Sequence, residues 1–591
     1  MRDRRTWLLT ALVALALAAP ASAQTGTAGT PGSTTAGAAT TGVPTLTTQT
    51  DPNALVRPES LTERPEGRLL TGKEAREIAE AVPKVVAERE RFPGSTVDVF
   101  LKGRTRWQVS FYATVDGRRK EIAQVLIQDA TGEVSEAWTG PQVAWTMARG
   151  YPGAFGRKAA AAYVWIPLLV LFVLPFVDWR RPLRMRHLDL LMLCSLSVSL
   201  AFFSHGNLAG SVPTTYPPLL YLLGRLLWIG YRRGAPAPAR HLLGGARAPY
   251  WLAIATIFLV GFRIGLNVLD SNVIDVGYSG VIGADKLTHG DALYGDFPRD
   301  NEHGDTYGPV NYLVYVPFEL IWPWSGGWDD LPAAHGAAVV FDLLCLLGLF
   351  LLGRRVRDTT LGIVLAYAWA AFPFTLFSLC TNSNDALVAA FLIWALYVAA
   401  HPARRGVLAA LAGLTKFAPL SLVPLLALHG TQGRSLRERV RAVARFALGF
   451  AITAAIAMLP VWLQGDLGLV WDRTLGFQLD RDAPFSVWGR YDGLDGVQVA
   501  VQAAAVVFAV AAAFLPRRRD VIGLAAVAGS ILLLLQLGTT YWFYLYIVWV
   551  LPFAFVALLG RDGETPPAPE PRAQALPGDE ELLDRVGAQR A

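Results

Sequence analysis

Cysteine is scarce in this chain. There are three among 591 residues, Cys194, Cys345 and Cys380, each inside an apolar run. That excludes a disulfide framework and leaves no zinc-like spacing, so the thiols read as small packing residues. Charge is thin as well: Asp, Glu, Lys and Arg make up 17% of the chain and hydrophobic residues 53%, with a mean hydropathy of +0.35. These proportions exclude an ordinary soluble domain and point to a polytopic membrane protein. Histidine is limited to 8 residues, and His289 and His303 lack ligand spacing, so neither a metal nor any other cofactor is expected. The formal charge of +6 is no sign of a nucleic-acid partner, because the basic residues cluster between apolar runs, where they set topology.

Arg2, Arg4 and Arg5 precede an apolar run at 7–19 that ends in Ala21-Ser22-Ala23. This is the layout of a signal peptide (residues 1–23) cleaved before Gln24, and an uncleaved anchor would export the same residues. Residues 24–69 open with a Thr/Gly/Ala/Ser-rich stretch and read as a flexible exported linker. Within 70–145, Thr71-Gly-Lys-Glu74 opens a helical pattern through Ala75, Ile78, Ala79, Val82, Val85 and Val86. Alternating stretches at 96–101, 106–115 and 121–129 predict strands after it. A helix followed by a three- or four-stranded meander resembles the PepSY-like domains found outside bacterial membranes. It carries no nucleophile, metal cluster or paired acid, so a small α+β appendage that binds an envelope partner is expected.

The remainder is expected to be mainly α, a transmembrane bundle of about eleven spans plus re-entrant segments. Accessory helices would occupy 159–248 and a catalytic core 250–560, with a disordered cytoplasmic tail at 561–591. Arg180, Arg181, Arg184 and Arg186, and then Arg232, Arg233, Arg240 and Arg247, mark the inner side, so the span 250–269 runs outward. Segments 307–324 and 407–428 are interrupted by prolines and, in the second, by Lys416, and read as juxtamembrane or re-entrant. Segments 361–379 and 541–559 read as single spans. A multi-pass protein of the cell membrane results, among membrane lipids, with the N-terminal domain and active-site loops outside.

The most polar stretch, 270–318, reads as a long carboxylate-rich loop on the outer face, and loops of that length are usually functional. Two other outward regions join it: Thr381-Asn-Ser-Asn-Asp385, and the loop 464–495. Carboxylates, arginines and aromatics converging on one rim suit group transfer from a lipid phosphate to a hydroxyl. A carboxylate would take the acceptor proton, and cations would hold the leaving phosphate. The base candidates are Asp275, Asp270 and Asp305, and the phosphate candidates Lys416, Arg473, Arg481 and Arg490. Each also has a plain structural reading. Asp275 could cap a helix, Asp270 could sit at the interface, Lys416 could pair with a buried acid, and Arg263 could pair with Asp342. Asp291, Asp296, Asp300 and Asp305 read as solvated loop charges, Asp305 being the best base among them because it adjoins the aromatic segment. The competing function is a transporter or flippase, since broken helices and buried cations occur there too. Against it stand the lack of an internal repeat and the clustering of acids in an outer loop.

From Tyr250 to Leu559 the chain resembles the GT-C glycosyltransferases, nearest the polyprenol-phosphate-mannose-dependent mannosyltransferases of glycosyltransferase family 87. The residues that carry the resemblance are Asp275-Val-Gly-Tyr278, Gly290-Asp-Ala-Leu-Tyr294, Thr306-Tyr-Gly-Pro309 and Asn384-Asp385. Leu414-Thr-Lys416-Phe, Pro484-Phe-Ser-Val-Trp488 and the stretch from Tyr541 to Trp549-Val-Leu-Pro552 continue it. The resemblance implies an inverting sugar transfer, of mannose, from a polyprenyl-phosphate sugar to a lipid or glycan acceptor, with an essential acid at the position of Asp275. It also makes Tyr278, Tyr294, Tyr307, Asn384, Asp385, Trp488 and Tyr541 substrate contacts. The chain departs from the pattern in lacking an Asp-X-Asp motif, in having Gly308-Pro309 in place of Pro-Pro, and in its N-terminal domain and first three spans.

Overall fold

A computed structural model of the chain describes residues 55–115, 117–150, 155–232, 243, 247–464, 467–479, 483–515 and 518–560. The signal segment, the first part of the linker, Arg481 and the tail from 561 lie outside the described residues.

The N-terminal domain is a five-stranded antiparallel sheet in the order β1 (Leu55–Val56), β2 (Thr96–Lys102), β3 (Arg106–Val115), β4 (Arg118–Gln128), β5 (Val134–Thr139). Two helices, α1 (Gly72–Glu80) and α2 (Pro83–Arg91), connect β1 to β2. Thr71 starts α1 by a capping box: its hydroxyl accepts from the Glu74 N–H, and Glu74 accepts in return from the Thr71 N–H at 2.8 Å. On the helix-facing side Trp107, Val109 and Phe111 alternate and are fully buried against Ile127, Val125 and Ala123 of β4. Burying Val109 and Phe111 contributes about 1.5–3 kcal/mol each. The predicted meander is present, and the predicted helix is present as two, because Pro83 lacks the N–H to continue the first and starts the second. The sheet also reaches back to Leu55, inside the stretch read as linker.

A short connection, 140–150, seats this domain on the bundle. The Gln142 amide donates to the Ala148 and Gly206 carbonyls, and the Arg149 guanidinium donates to the Gln142 and Val143 carbonyls. Trp145 packs edge-on against Phe485, with centroids 5.3 Å apart.

The bundle follows: α3 (Ala162–Val173), α4 (Met185–Ser204), α5 (Leu208–Tyr231), α6 (Ala248–Leu269), α7 (Asp275–His289), α8 (Pro309–Leu313), α9 (Val316–Glu319) and α10 (Pro332–Val356). Then come α11 (Thr359–Ala371), α12 (Pro373–Cys380), α13 (Asp385–Tyr397), α14 (Pro402–Thr415), α15 (Val423–Leu428), α16 (Leu436–Gln464), α17 (Asp495–Ala511), α18 (Val521–Leu537) and α19 (Ile547–Gly560). Among the described residues four helices are long and apolar enough to cross a membrane: Met185–Ser204, Ala248–Leu269, Pro332–Val356 and Leu436–Leu463. The pair α11 and α12 adds a fifth if counted as one span. The expectation of about eleven draws on further apolar helices of 10–17 residues. Helices α18 and α19, apolar all round, are buried almost throughout and form the centre of the bundle, as that composition requires.

Two expectations need correction. Residues 361–379 are not one straight span, because the helix bends by 59° between α11 and α12. Pro373 has no N–H for the Trp369 carbonyl, which accepts instead from the Thr375 hydroxyl at 2.5 Å. The neighbouring Ala370 carbonyl accepts from Arg263 at 3.1 Å. Arg263 also makes a bidentate bond to Asp342, at 2.5 and 3.1 Å, and Trp369 donates to the same carboxylate, so the expected pair is present and satisfied. Nor is 270–318 simply a loop, since α7 runs through it with its first ten residues buried. Gly280 and Gly283 let the rings of Tyr315 and Tyr312 lie on its face. A Cβ at either glycine would sit within 2.6 or 2.1 Å of a ring carbon.

Tyr544 joins the accessory helices to the centre, its hydroxyl within 2.7 Å of Ser199 and 2.6 Å of Ser211. Helix α19 begins only at Ile547, so Tyr541 to Phe543 approach it as non-helical backbone.

Candidate active site

The site is assembled where three chain breaks meet. First, residues 272–274 run extended beside the end of α12, with the Asn272 N–H on the Cys380 carbonyl and the Ile274 N–H on that of Thr381. Asn382 adopts a left-handed conformation at φ 51°, its side chain donating to Ser271 and to the Asn272 carbonyl and accepting from Asn267. A Cβ at Gly277 would meet the Asn382 carbonyl at 2.3 Å, so only glycine allows α7 to start this close. The N-terminus of α7, with Asp275, is thereby held against the segment that leads into Asp385.

Asp275 is the first residue of α7 and is buried, with a carboxylate oxygen 2.8 Å from the Val276 N–H. A negative charge is favoured at that end of a helix by the unpaired N–H groups. Its backbone carbonyl accepts from the Asn301 amide at 3.2 Å.

Second, α14 stops at Thr415 and Lys416 takes extended backbone angles. Into this break fits the turn before α8. The Gly308 N–H donates to the Thr415 carbonyl, and a Cβ at Gly308 would lie 2.0 Å from the Leu414 carbonyl oxygen. Tyr307 is thus brought over the lysine. The Lys416 ammonium is 5.6 Å from the Tyr307 ring centroid and 5.3 Å from that of Trp549.

Third, α13 begins at Asp385, which accepts from Lys416 Nζ at 2.6 Å and from Trp549 Nε1 at 3.0 Å on the same oxygen, Oδ1. Both charged side chains are buried, 1% exposed each. Asp275 acts electrostatically on the same ammonium. The Asp385–Lys416 pair therefore sits in a low-dielectric setting, where charge interactions are strong.

Several buried polar atoms on these elements have no hydrogen-bond partner among the described residues: Asp385 Oδ2, Asn384 Oδ1, Asn311 Nδ2, the Tyr315 hydroxyl, Thr306 Oγ1 and Asp305 Oδ1. Asn384 and Asn311 are joined through their other amide atoms at 2.6 Å. Leaving such a group unpaired costs about 1–3 kcal/mol. A concentration of them around one ion pair suits a site that binds hydroxyl-rich or phosphate-bearing substrate.

Asp305 precedes Thr306 and Tyr307 in the chain and is wholly buried. Its Oδ2 accepts from the Gly295 N–H at 2.8 Å and stands 3.5 Å from Arg473 Nε. Burial raises its pKa above the usual carboxylate value, against the pull of that N–H and of Arg473. Tyr294 donates to the Tyr307 carbonyl at 2.9 Å, linking this layer to the lysine.

The other expected residues have different surroundings. Asp270 closes α6 and is ion-paired with Lys158, which holds its pKa below the ordinary range. Arg473 also donates to the Gly295 carbonyl at 3.2 Å. Arg490 is half-buried with its guanidinium 6.0 Å from the Tyr491 ring. Tyr278 stacks on Trp328 at 4.8 Å, its hydroxyl 3.3 Å from Asp300. Trp488 donates to the Leu537 carbonyl at 2.8 Å. The Tyr541 hydroxyl meets the Met147 sulfur, and its ring is linked to the site through Tyr546 and Trp549, at centroid separations of 6.4 and 4.9 Å. Of the residues expected from sequence, the structure brings Asp275, Tyr307, Asn384, Asp385 and Lys416 together. Sequence reasoning passed over Asn311 and Tyr315, although both follow directly on the Thr306-Tyr-Gly-Pro309 motif.

The family model of glycosyltransferase family 87 matches residues 306–537. No curated protein and no solved structure matches the chain. The matched segment begins at Thr306 and contains Tyr307, Asn384, Asp385 and Lys416, while Asp275 and Asp305 precede it. Over residues 306–537 the chain is accordingly similar to glycosyltransferase family 87, which supports a membrane glycosyltransferase.

Proposed function

We propose that this membrane glycosyltransferase moves a sugar, mannose, from a polyprenyl-phosphate donor to a hydroxyl of an extracytoplasmic lipid or glycan acceptor. The observation that carries the reading is the buried ion pair of Lys416 with Asp385, together with Asp275 buried at the start of α7 and acting electrostatically on the same ammonium. Asp275 is the base: it takes the acceptor proton as the acceptor oxygen bonds to the anomeric carbon. The bond from that carbon to the phosphate oxygen breaks, and the configuration inverts because one displacement occurs. Polyprenyl phosphate leaves as an anion and needs no proton if a cation meets it. Lys416, fixed by Asp385, is that cation, because an ammonium keeps further donors after one is used. The unpartnered groups of Asn311, Asn384 and Tyr315 bind sugar hydroxyls. Arg473 and Asp305 order the rim.

The chain is read as crossing the cell membrane about eleven times, once the apolar helices of 10–17 residues are counted. The sheet domain and site face outward and the C-terminus inward. The PepSY-like likeness of the sheet domain belongs to the same reading and gives it a binding or regulatory part.

The test is transfer from radiolabelled polyprenyl-phosphate mannose to envelope lipid and glycan extract by the purified protein, beside D275N, D270N and D305N. Loss in D275N alone supports the assignment. Retained transfer in D275N with loss in D305N would move the base to Asp305. Movement of lipid-linked sugar across proteoliposomes with no transfer would make the protein a transporter.

A further inference from the structure

At the other end of α13 and α14 lies a feature that sugar transfer does not use. The two helices run from Asp385 to a turn at 398–401 and back to Lys416, so this turn is about 20 Å from the ion pair at 1.5 Å per residue. Beside the turn is a cavity of about 460 Å³, lined among others by Arg405, His429, Arg434, Glu438, Arg441 and Arg445.

The charges are unequally engaged. Arg405 is buried and donates to the carbonyls of Ala399 and His429, so it builds the floor. The one carboxylate, Glu438, accepts from the Ser435 hydroxyl at 2.8 Å and from its N–H at 3.0 Å. Arg434, Arg441 and Arg445 are exposed on the wall, and none has a carboxylate within ion-pair distance among the described residues. Basic residues that only set topology need no cavity. These surround one.

The same face of α16 then turns apolar. Arg441, Arg445, Leu448, Ile452, Ile456 and Leu459 follow one another at helical spacings of three and four, and the last four are all exposed. Leu436–Leu463 is one of the helices long enough to cross a membrane. A cationic cavity that opens onto an exposed apolar stripe matches an amphiphile with an anionic head and acyl tails.

We propose that this cavity binds the phosphate headgroup of an anionic phospholipid, with its tails along Leu448, Ile452 and Ile456. Arginine clusters at a membrane boundary recognise such headgroups, and the guanidinium fork suits phosphate geometry. Free phosphate shares the head chemistry and lacks the tails, so it separates the two sources.

The experiment uses the full-length protein in nanodiscs of phosphatidylcholine, alone or with phosphatidylglycerol, and counts lipid retained on release by native mass spectrometry. Wild type is expected to retain phosphatidylglycerol over phosphatidylcholine about tenfold. R441Q/R445Q is expected to lose that preference, and R441K/R445K to keep part of it, which separates charge from folding. Millimolar inorganic phosphate is expected to leave retention unchanged. Equal retention of the two lipids by wild type, an undiminished preference in R441Q/R445Q, or displacement by inorganic phosphate would each overturn the proposal.

Discussion

Lys416 and Asp385, 31 residues apart in the chain, meet at 2.6 Å inside the bundle, and Trp549 donates to the carboxylate oxygen that the lysine contacts. Removing one member of such a pair strands a buried charge and costs about 3–5 kcal/mol. K416M and D385N are each expected to lose thermal stability in detergent by an amount of that order, and to lose sugar transfer. The double variant K416M/D385N leaves neither charge, so much of the stability is expected to return while transfer stays absent. Recovery of transfer in the double variant would make the pair purely structural.

Asp275 and Asp270 are separated by only five residues, and their variants are expected to differ sharply. A general base contributes about 10²–10⁴ in rate, so D275N is expected to lower kcat by a factor in that range with a normal melting temperature. D270N breaks an ion pair with Lys158 that is partly open to solvent, and such pairs contribute about 0–1 kcal/mol. Its kcat is expected to stay within about twofold of wild type. Steady-state kinetics of the two side by side decides the matter, and equal losses would remove the distinction.

Gly308 makes the close approach to the Leu414 carbonyl on which the position of Tyr307 depends. G308A is expected to destabilise by about 1–3 kcal/mol through overpacking, and to weaken transfer because the α8 turn shifts away from Lys416. G261A is the control, since a Cβ there meets nothing within 4 Å. Matching melting temperatures for the two variants would show that the approach is not tight.

Asp305 gives a pH dependence whose sign follows from its burial. Its folded pKa is raised above the ordinary 3.8, so between the two values the folded state holds the proton more firmly than the unfolded chain. Stability from this group is fully present below the unfolded pKa and is lost as pH rises through the folded pKa. Relative to D305N, wild type is therefore expected to lose stability as pH rises from about 4 and to level off above the folded pKa. Melting temperatures of both proteins across pH 4–8 check this, and a difference that grows in favour of wild type with pH would contradict it.

Hydropathy and periodicity made several parts of the structure legible in advance. The helix cap at Thr71, the alternation of Trp107, Val109 and Phe111, the break at Lys416 and the pair of Arg263 with Asp342 all stand as the sequence indicates. So does the exposure of Asp291, Asp296 and Asp300, whereas Asp305, read with them as solvated, is buried because the fold closes over it beside Gly295 and Arg473. Helix α7 was not legible, because Gly277, Gly280 and Gly283 each disfavour a helix by about 1 kcal/mol. Tertiary contact requires them: two tyrosine rings and the Asn382 carbonyl occupy the space that side chains would take. The 59° bend had one local sign, Pro373, hidden in an otherwise continuous apolar run.

By itself the sequence determined which segments are apolar and helical, where they break, and which acids and cations could do chemistry, because burial periodicity and backbone breakers are local properties. Tertiary structure decided that Asp385 meets Lys416, that Asp275 is buried at the start of α7, that Asp270 is held by Lys158, and that Asp305 alone of the acids between 291 and 305 is buried. An ion pair is a relation of distance between side chains far apart in the chain, and it exists only once packing has closed that distance.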